Sequence, residues 1–372
     1  PESLRKACDM PTIDHRSPLF RQILHPARKA VQQILKSTSA EVFIFPASGT
    51  GGWETALTNT LSHGDRVLVA RNGMFSHRWI DMCQRHGLDV QVVEVPWGNG
   101  IPADRYEEIL TADTGHTIKA VLATHNETAT GVRSDIGAIR SAMDAAGHPA
   151  LLLVDGVSSI GSMEFRFDEW GVDVAVTGSQ KGFMLPAGLA ITGFSARAMA
   201  ATEAATLPRT FFDVQDMARG YENNAYPYTP AVGLMNGLNE SCKMLLDEGL
   251  ENVFARHHRI ADAKAKALAL AQAGYQMPVR ERDTRVLGRQ GLGMFAVGSH
   301  SMLEGGYITP HEKKMVDKLA YVMSGGDLSE PTYVSEQYLL NLEREAFLSL
   351  CGEKKTLERI QHMLKTGKPL RN

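Results

Sequence analysis

A lysine and an aspartate stand at the ends of two apolar runs, where they could share one cofactor. Val172, Val174 and Val176 form a short β-branched run that stops at Thr177-Gly178-Ser179, and Gln180 and Lys181 follow. Leu151-Leu152-Leu153-Val154 ends in Asp155. Both runs read as buried strands. A lysine just past a strand end has its stem held by the sheet. A lysine that forms a Schiff base and a carboxylate that meets a pyridinium nitrogen are the pair that pyridoxal phosphate chemistry needs. A plainer reading stands beside it: a solvated lysine, and an Asp155 that caps a helix or makes a turn before Gly156. On these two residues alone the plainer reading is the stronger.

Other polar clusters also follow apolar runs. Residues 41–46 read as a strand leading into Ala47-Ser48-Gly49-Thr50-Gly51-Gly52-Trp53-Glu54 and a helix over residues 54–61. Glycines between a strand and a helix let backbone N–H groups approach an anion at the positive helix end. The spacing is neither GxGxxG nor a P-loop, since no Gly-Lys-Ser/Thr follows. Residues 65–70 form the next strand, and Phe75 lies just past it, before another helix. Its ring could stack on a cofactor or pack in the core. A strand at 89–95, a helix near 106–110 and a strand at 119–124 follow, the last ending in the polar loop 125–131. A helix at 136–146, the two strands before Asp155 and Lys181, and a strand at 188–192 complete the run.

Strands alternating with helices predict a mostly parallel α/β sheet with helices on both faces. Ligands of such sheets sit outside the carboxyl ends of the strands. Ser48–Gly52, Phe75, Thr128, Asp155 and Lys181 all fall at such ends. That coincidence outweighs any single motif and turns the balance toward a cofactor site. Farther on lie an aromatic, irregular region (209–213 and 226–230), a helix at 232–246 and a long alanine-rich helix at 250–271.

Composition narrows the function classes. The chain has 372 residues, 43% hydrophobic and 22% charged, as in an ordinary globular protein. A formal net charge of -3 points to neither a nucleic-acid surface nor an anionic membrane. No run of about 18 apolar residues predicts a membrane span. No signal peptide is visible, and the chain starts at Pro1, which leaves room for a missing N-terminal piece. Cys8, Cys83, Cys242 and Cys351 are too scattered for a zinc site or a disulfide framework, so a reducing cytoplasm is expected. His77, His125, His257 and His258 share no metal spacing and read as surface or satisfied histidines, with His125 the nearest to the cofactor loop.

At these residues the chain resembles the class V aminotransferases of PLP fold type I, of the serine–glyoxylate and aspartate–glyoxylate kind. The likeness covers residues 1–273. It rests on Ser48-Gly-Thr-Gly-Gly-Trp-Glu, Asn72-Gly-Met-Phe, Thr124-His-Asn-Glu-Thr-Ala-Thr-Gly, Val154-Asp-Gly-Val-Ser-Ser and Thr177-Gly-Ser-Gln-Lys. The resemblance implies a PLP-binding large domain over residues 1–248 and a connecting helix over 249–273. It implies that Lys181 carries the cofactor as a Schiff base and shuttles a proton, and that Asp155 keeps the pyridine nitrogen protonated. Phe75 would stack on the ring and Val157 would pack on its other face. Thr50, Gly51, Gly52 and Gln180 would bind the phosphate, and Thr128 would bond the ring's 3-oxygen side. Tyr226 and Thr229 would reach the neighbouring subunit's phosphate, which implies a homodimer. The substrates implied are an amino acid, serine or aspartate, and the 2-oxo acid glyoxylate.

Residues 274–372 break this pattern. They resemble the C-terminal end of bacterial 3-hydroxyacyl-CoA dehydrogenase/enoyl-CoA hydratases, through the closing Lys368-Pro-Leu-Arg and the helix before it. Leu339, Leu342, Phe347, Leu350, Leu357, Ile360 and Leu364 recur at near-helical spacing, so a helical segment is expected. It holds no dinucleotide loop and no recognisable acid/base pair, and reads as a structural tail of a fusion joined near Gly274-Tyr275. The family's arginine for the substrate carboxylate cannot be placed: Arg280, Arg282, Arg285 and Arg289 are near in sequence, but none stands in the matching motif. Three readings follow: an aminotransferase, a PLP-binding fusion impaired in catalysis, and a fragment of a β-oxidation enzyme.

Overall fold

A computed structural model describes residues 1–223, 225–274 and 283–372. The chain divides into two compact units, Pro1–Ala269 and Leu270–Asn372. Arg280 and Arg282 lie outside the described residues.

The first unit alternates strands and helices. Helices α1 (Glu2–Cys8) and α2 (Arg21–Ile34) lead to β1 (Glu41–Phe45) and α3 (Gly49–Thr60). Then come β2 (Arg66–Arg71), α4 (Met74–Arg85), β3 (Asp89–Glu94), α5 (Ala103–Ala112) and β4 (Ile118–Thr124). The expected loop at 125–131 carries a small antiparallel ribbon, β5 (Asn126–Glu127) and β6 (Val132–Arg133). Helix α6 (Ile136–Ala145), β7 (Leu151–Asp155), β8 (Val174–Gly178), β9 (Ala190–Phe194) and α7 (Ala196–Ala201) follow. Helix α8 (Val214–Glu222) separates the two halves of the aromatic region, and α9 (Val232–Glu248) and α10 (Leu250–Gln272) come last.

Seven strands form one sheet in the order β1-β9-β8-β7-β4-β2-β3. From β8 to β3 all neighbours are parallel, whereas β9 runs antiparallel to both β8 and β1. The central strands β7, β8 and β9 are buried along their whole length, which explains their unbroken apolar runs. Helix α2 buries Leu24, Ala27, Val31 and Ile34 at helical spacing. Full burial of Leu24, Val31 and Ile34 contributes about 1.5–3 kcal/mol each, and the Ala27 methyl less. Side-chain caps start α6, α7 and α8, where Asp135, Ser195 and Asp213 accept N–H groups of the first turn.

One boundary is corrected. Helix α3 begins at Gly49, five residues earlier than the sequence reading, because its glycines are held by packing rather than by propensity. A Cβ on Gly52 would lie 2.5 Å from a methyl of Val176, and one on Gly49 would lie 2.6 Å from a methyl of Val157.

The second unit is helical with one two-stranded antiparallel ribbon. Strands β10 (Asp283–Val286) and β11 (Thr332–Ser335) pair antiparallel, a feature absent from the sequence reading. Helices α11 (Arg289–Glu304), α12 (Pro310–Met323), α13 (Glu336–Cys351) and α14 (Lys354–Thr366) pack in succession. The periodic leucines expected on one stretch are split between α13 and α14 at Gly352-Glu353. A groove of about 780 Å³ between α12 and α13 is lined mainly by apolar residues, among them Leu319, Leu340 and Phe347. It holds none of the expected site residues.

Candidate active site

The parallel register places the site. Thr124 of β4 pairs with Asp155 of β7, and Asp155 pairs with Val176 of β8. Three strands therefore end side by side, and the loops carrying Thr128, Val157 and Lys181 leave from one edge.

Asp155 is buried at that edge. Its Oδ1 accepts the Val157 N–H at 2.9 Å, a tight turn onto Gly156. Burial pushes its carboxyl up to about 7. The Val157 N–H and the Trp53 indole draw it down, the negative charge of Glu127 adds to the rise, and Lys181 lowers it again. Trp53 Nε1 is itself buried without a hydrogen-bond partner at bonding distance. Among the described residues Asp155 makes no ion pair, and a protonated ring nitrogen would supply a cation.

Lys181 is exposed on a loop that is fastened on both sides. The buried Ser179 donates its hydroxyl to the Pro186 carbonyl at 2.7 Å and accepts the Leu189 N–H at 3.1 Å. Lys181 accepts the Met184 N–H through its own carbonyl at 2.9 Å. The loop also presses on the 156–161 turn, where Gly182 meets the backbone of Ile160 and Gly161.

The start of α3 suits an anion. Ser48 makes no side-chain cap there, so the first N–H groups keep their free ends. A Cβ on Gly51 would come within 2.9 Å of Ala47 and Phe212. A Cβ on Gly178 would lie 3.0 Å from Gln180 Oε1 and 3.4 Å from the Gly49 nitrogen, so Gln180 sits beside the helix start. Gln180 Oε1 is buried without a hydrogen-bond partner among the described residues. The N–H groups of an uncapped helix end, and the Gln180 amide turned to present its NH₂, are donors that a phosphate's oxygens would accept. The residues present therefore fit the cofactor that the sequence implies.

Phe75 is half-buried at the start of α4, edge-on to Trp53 with ring centres 6.4 Å apart. Arg78 lies over its ring at 5.5 Å. Thr50 and Phe75 line one cavity of about 500 Å³ together with Trp53, Arg78 and His86. Thr128 is exposed on the 125–131 turn.

Three residues take other places. Tyr226 is buried, and its hydroxyl donates to the Ile44 carbonyl of its own chain. Thr229 is exposed. His125 is buried, bonded through Nδ1 to Ser159 Oγ at 2.9 Å and packed against Phe165 and Trp170. Burial holds its pKa down at about 4, with the positive charge of Arg133 adding to the effect, so it is a neutral framework residue. Of the arginines near the junction, Arg285 lies on β10 and Arg289 is held in a fork by Asp327 at 2.7 and 3.1 Å.

Sequence reasoning missed Glu127. It is fully buried, and its carboxylate accepts the N–H groups of Phe75, Ser76 and Ala129. Trp53 was likewise read only as part of a motif. The available signal was that each lies inside a strand-end cluster.

Comparison with known proteins agrees with this geometry. The family described as Aminotransferase class-V matches residues 9–287. An L-aspartate–glyoxylate aminotransferase of Paracoccus denitrificans is 74% identical over 268 residues, 72% of this chain and 68% of that protein. A serine–glyoxylate aminotransferase of Methylorubrum extorquens is 51% identical over 274 residues, again 72% of this chain and 68% of that protein. The crystal structure of an alanine–glyoxylate aminotransferase from Nostoc sp. superposes with a TM-score of 0.67 at 26% identity, covering 75% of this chain and 73% of that one. The seven-stranded sheet is that of PLP fold type I. The strand-end lysine and buried aspartate, the uncapped glycine helix and these relatives agree: the chain belongs to the class V aminotransferases.

Proposed function

We propose that the chain transfers an amino group from aspartate or serine to glyoxylate, with pyridoxal 5′-phosphate as cofactor. The observation that carries this reading is the buried Asp155, within electrostatic reach of Lys181 at the common end of β7 and β8. The greater identity to the aspartate–glyoxylate relative favours aspartate as donor.

The bound cofactor would supply an electron sink for bond breaking at the amino acid's α-carbon. Lys181 would hold the cofactor's carbonyl carbon and move a proton at the substrate's α-carbon. Asp155 would keep the proton on the ring nitrogen. Phe75 and Val157 would confine the ring between them. Thr50, Gly51, Gly52 and Gln180 would hold the phosphate, and Thr128 would bond beside the ring's 3-oxygen.

A homodimer belongs to the same proposal. The exposed Thr229 supports it more directly than Tyr226, whose hydroxyl is engaged with Ile44. Free cysteines and the lack, among the described residues, of a helix long and apolar enough to cross a membrane suit a cytoplasmic enzyme. The tail we read as a fusion partner with the dehydrogenase/hydratase likeness, supported by its sequence motifs.

The test is spectroscopic. The purified protein with added PLP should show a visible absorbance band that Lys181→Ala abolishes. Aspartate or serine should bleach that band in a half-reaction, and glyoxylate should restore it. A wild-type band that neither amino acid changes would leave a PLP binder without transamination. NAD-dependent oxidation of a 3-hydroxyacyl-CoA would favour the β-oxidation reading instead.

A further inference from the structure

Glu127 is a buried carboxylate with no ion pair among the described residues. Among the described residues, its hydrogen bonds all come from backbone N–H groups. Phe75 donates at 3.2 and 3.1 Å, Ser76 at 3.0 Å and Ala129 at 3.1 Å. Two of these donors open α4, where the helix end is positive and a negative charge is favoured. The third belongs to the turn that carries Thr128. Gly73 has no room for a side chain, because a Cβ there would overlap the Glu127 side chain. The carboxylate also acts on Asp155, whose pKa it raises. One group therefore reaches three places around the ring position, across 52 residues of chain.

We infer that Glu127 is a positioning residue for the cofactor: its carboxylate clamps the backbone of Phe75 to the Thr128 turn and so fixes the ring's stacking face. This rests on the cofactor reading above. Burying an unpaired carboxylate is expensive unless several donors face it. Here the donors come from the two segments that must keep register around a ring. A neutral amide in its place would turn an N–H₂ group against those donors.

Titration of the apo-protein with PLP tests this, following the visible band and its circular dichroism. The set is wild type, Glu127→Gln, Phe75→Ala, the double variant and Ser76→Ala. Ser76 Oγ accepts the N–H groups of Asn72 and Gly73, so its loss loosens the helix start without touching Glu127. We expect Glu127→Gln to weaken PLP binding about tenfold or more and to change the dichroism of the band. That loss should shrink in the Phe75→Ala background, where there is no ring left to place. Ser76→Ala should keep wild-type dichroism. Wild-type affinity and dichroism in Glu127→Gln, full additivity with Phe75→Ala, or the same change in Ser76→Ala would each overturn the inference. If Glu127→Gln does not fold, hydrogen exchange on the wild type decides. The amides of Phe75, Ser76 and Ala129 should be protected together, and fast exchange at any of them would overturn it. A wild type with no Lys181-dependent band overturns the cofactor reading and this inference with it. A normal wild-type band with an unaffected Glu127→Gln overturns this inference alone.

Discussion

Gly182 lies so close to Ile160 that a Cβ on the glycine would overlap the Ile160 carbonyl oxygen. This contact presses the loop of Lys181 onto the turn that follows Asp155. The two segments carrying the proposed cofactor residues Lys181 and Asp155 are thus held by backbone packing, where no side chain could be adjusted to relieve a clash. Gly182→Ala should destabilise the protein by about 1–3 kcal/mol and reduce PLP binding. Urea unfolding and the visible band measure the two effects. Normal binding in a stable Gly182→Ala protein would show that the loop does not need this contact.

Asp155 gives the apo-protein a characteristic pH response. Its folded pKa of about 7 lies above the usual carboxylate value of 3.8, so folding binds an extra proton. Its favourable contribution is therefore present below the unfolded value and is lost as pH rises from about 4 to 7. Asp155→Asn should remove that loss, which is at most a few kcal/mol, while weakening the cofactor's ring-nitrogen contact. Urea midpoints of both proteins across this range test it. Parallel curves for wild type and Asp155→Asn would count against the buried, protonated carboxyl.

Asp113 joins three elements at the opposite end of the sheet. It follows α5, accepts the Ile118 N–H at the start of β4 at 2.8 Å and lies 3.2 Å from the buried His148 before β7. Burial would raise its carboxyl, but the Ile118 N–H, the Thr117 hydroxyl and His148 outweigh that and hold it well below the usual range. With the folded pKa depressed, this stability is present above the ordinary carboxylate range and is lost as pH falls. Asp113→Ala should cost about 2 kcal/mol at neutral pH and less in acid. An equal cost at both would point to packing alone.

A chain ended at Gln272 should still fold and hold PLP, because the seven-stranded sheet and every expected cofactor residue lie within Pro1–Ala269. Comparing its visible band and melting temperature with the full chain measures this. Loss of the band on truncation would show that the second unit supports the site. Half-reaction rates of the two proteins would show whether that unit contributes to turnover.

The alternation of β-branched runs with helical periodicity is local, and it was enough to predict the α/β class and the strands around the site. The residue types at strand ends were equally local, so Lys181, Asp155, Phe75 and the Ser48–Gly52 turn could be named from order alone. Helix α3 was set too late because glycine propensity argues against a helix, while the contacts of Gly49 with Val157 and Gly52 with Val176 override it. Helix α8 was missed because the aromatic residues around it obscured its short amphipathic pattern.

Other features were decided by partners far away in the chain. The antiparallel course of β9 beside β8 and β1 depends on strand pairing that no single segment encodes. Glu127 reads in sequence as one more polar loop residue; its part depends on Phe75 arriving 52 residues away in chain order. Tyr226 turns inward because Ile44 offers its carbonyl within the core. Sequence thus determined which chemistry the strand ends can hold, through local composition and period. Tertiary structure alone decided which buried polar groups meet, because a buried donor or acceptor must find its partner wherever the fold brings one.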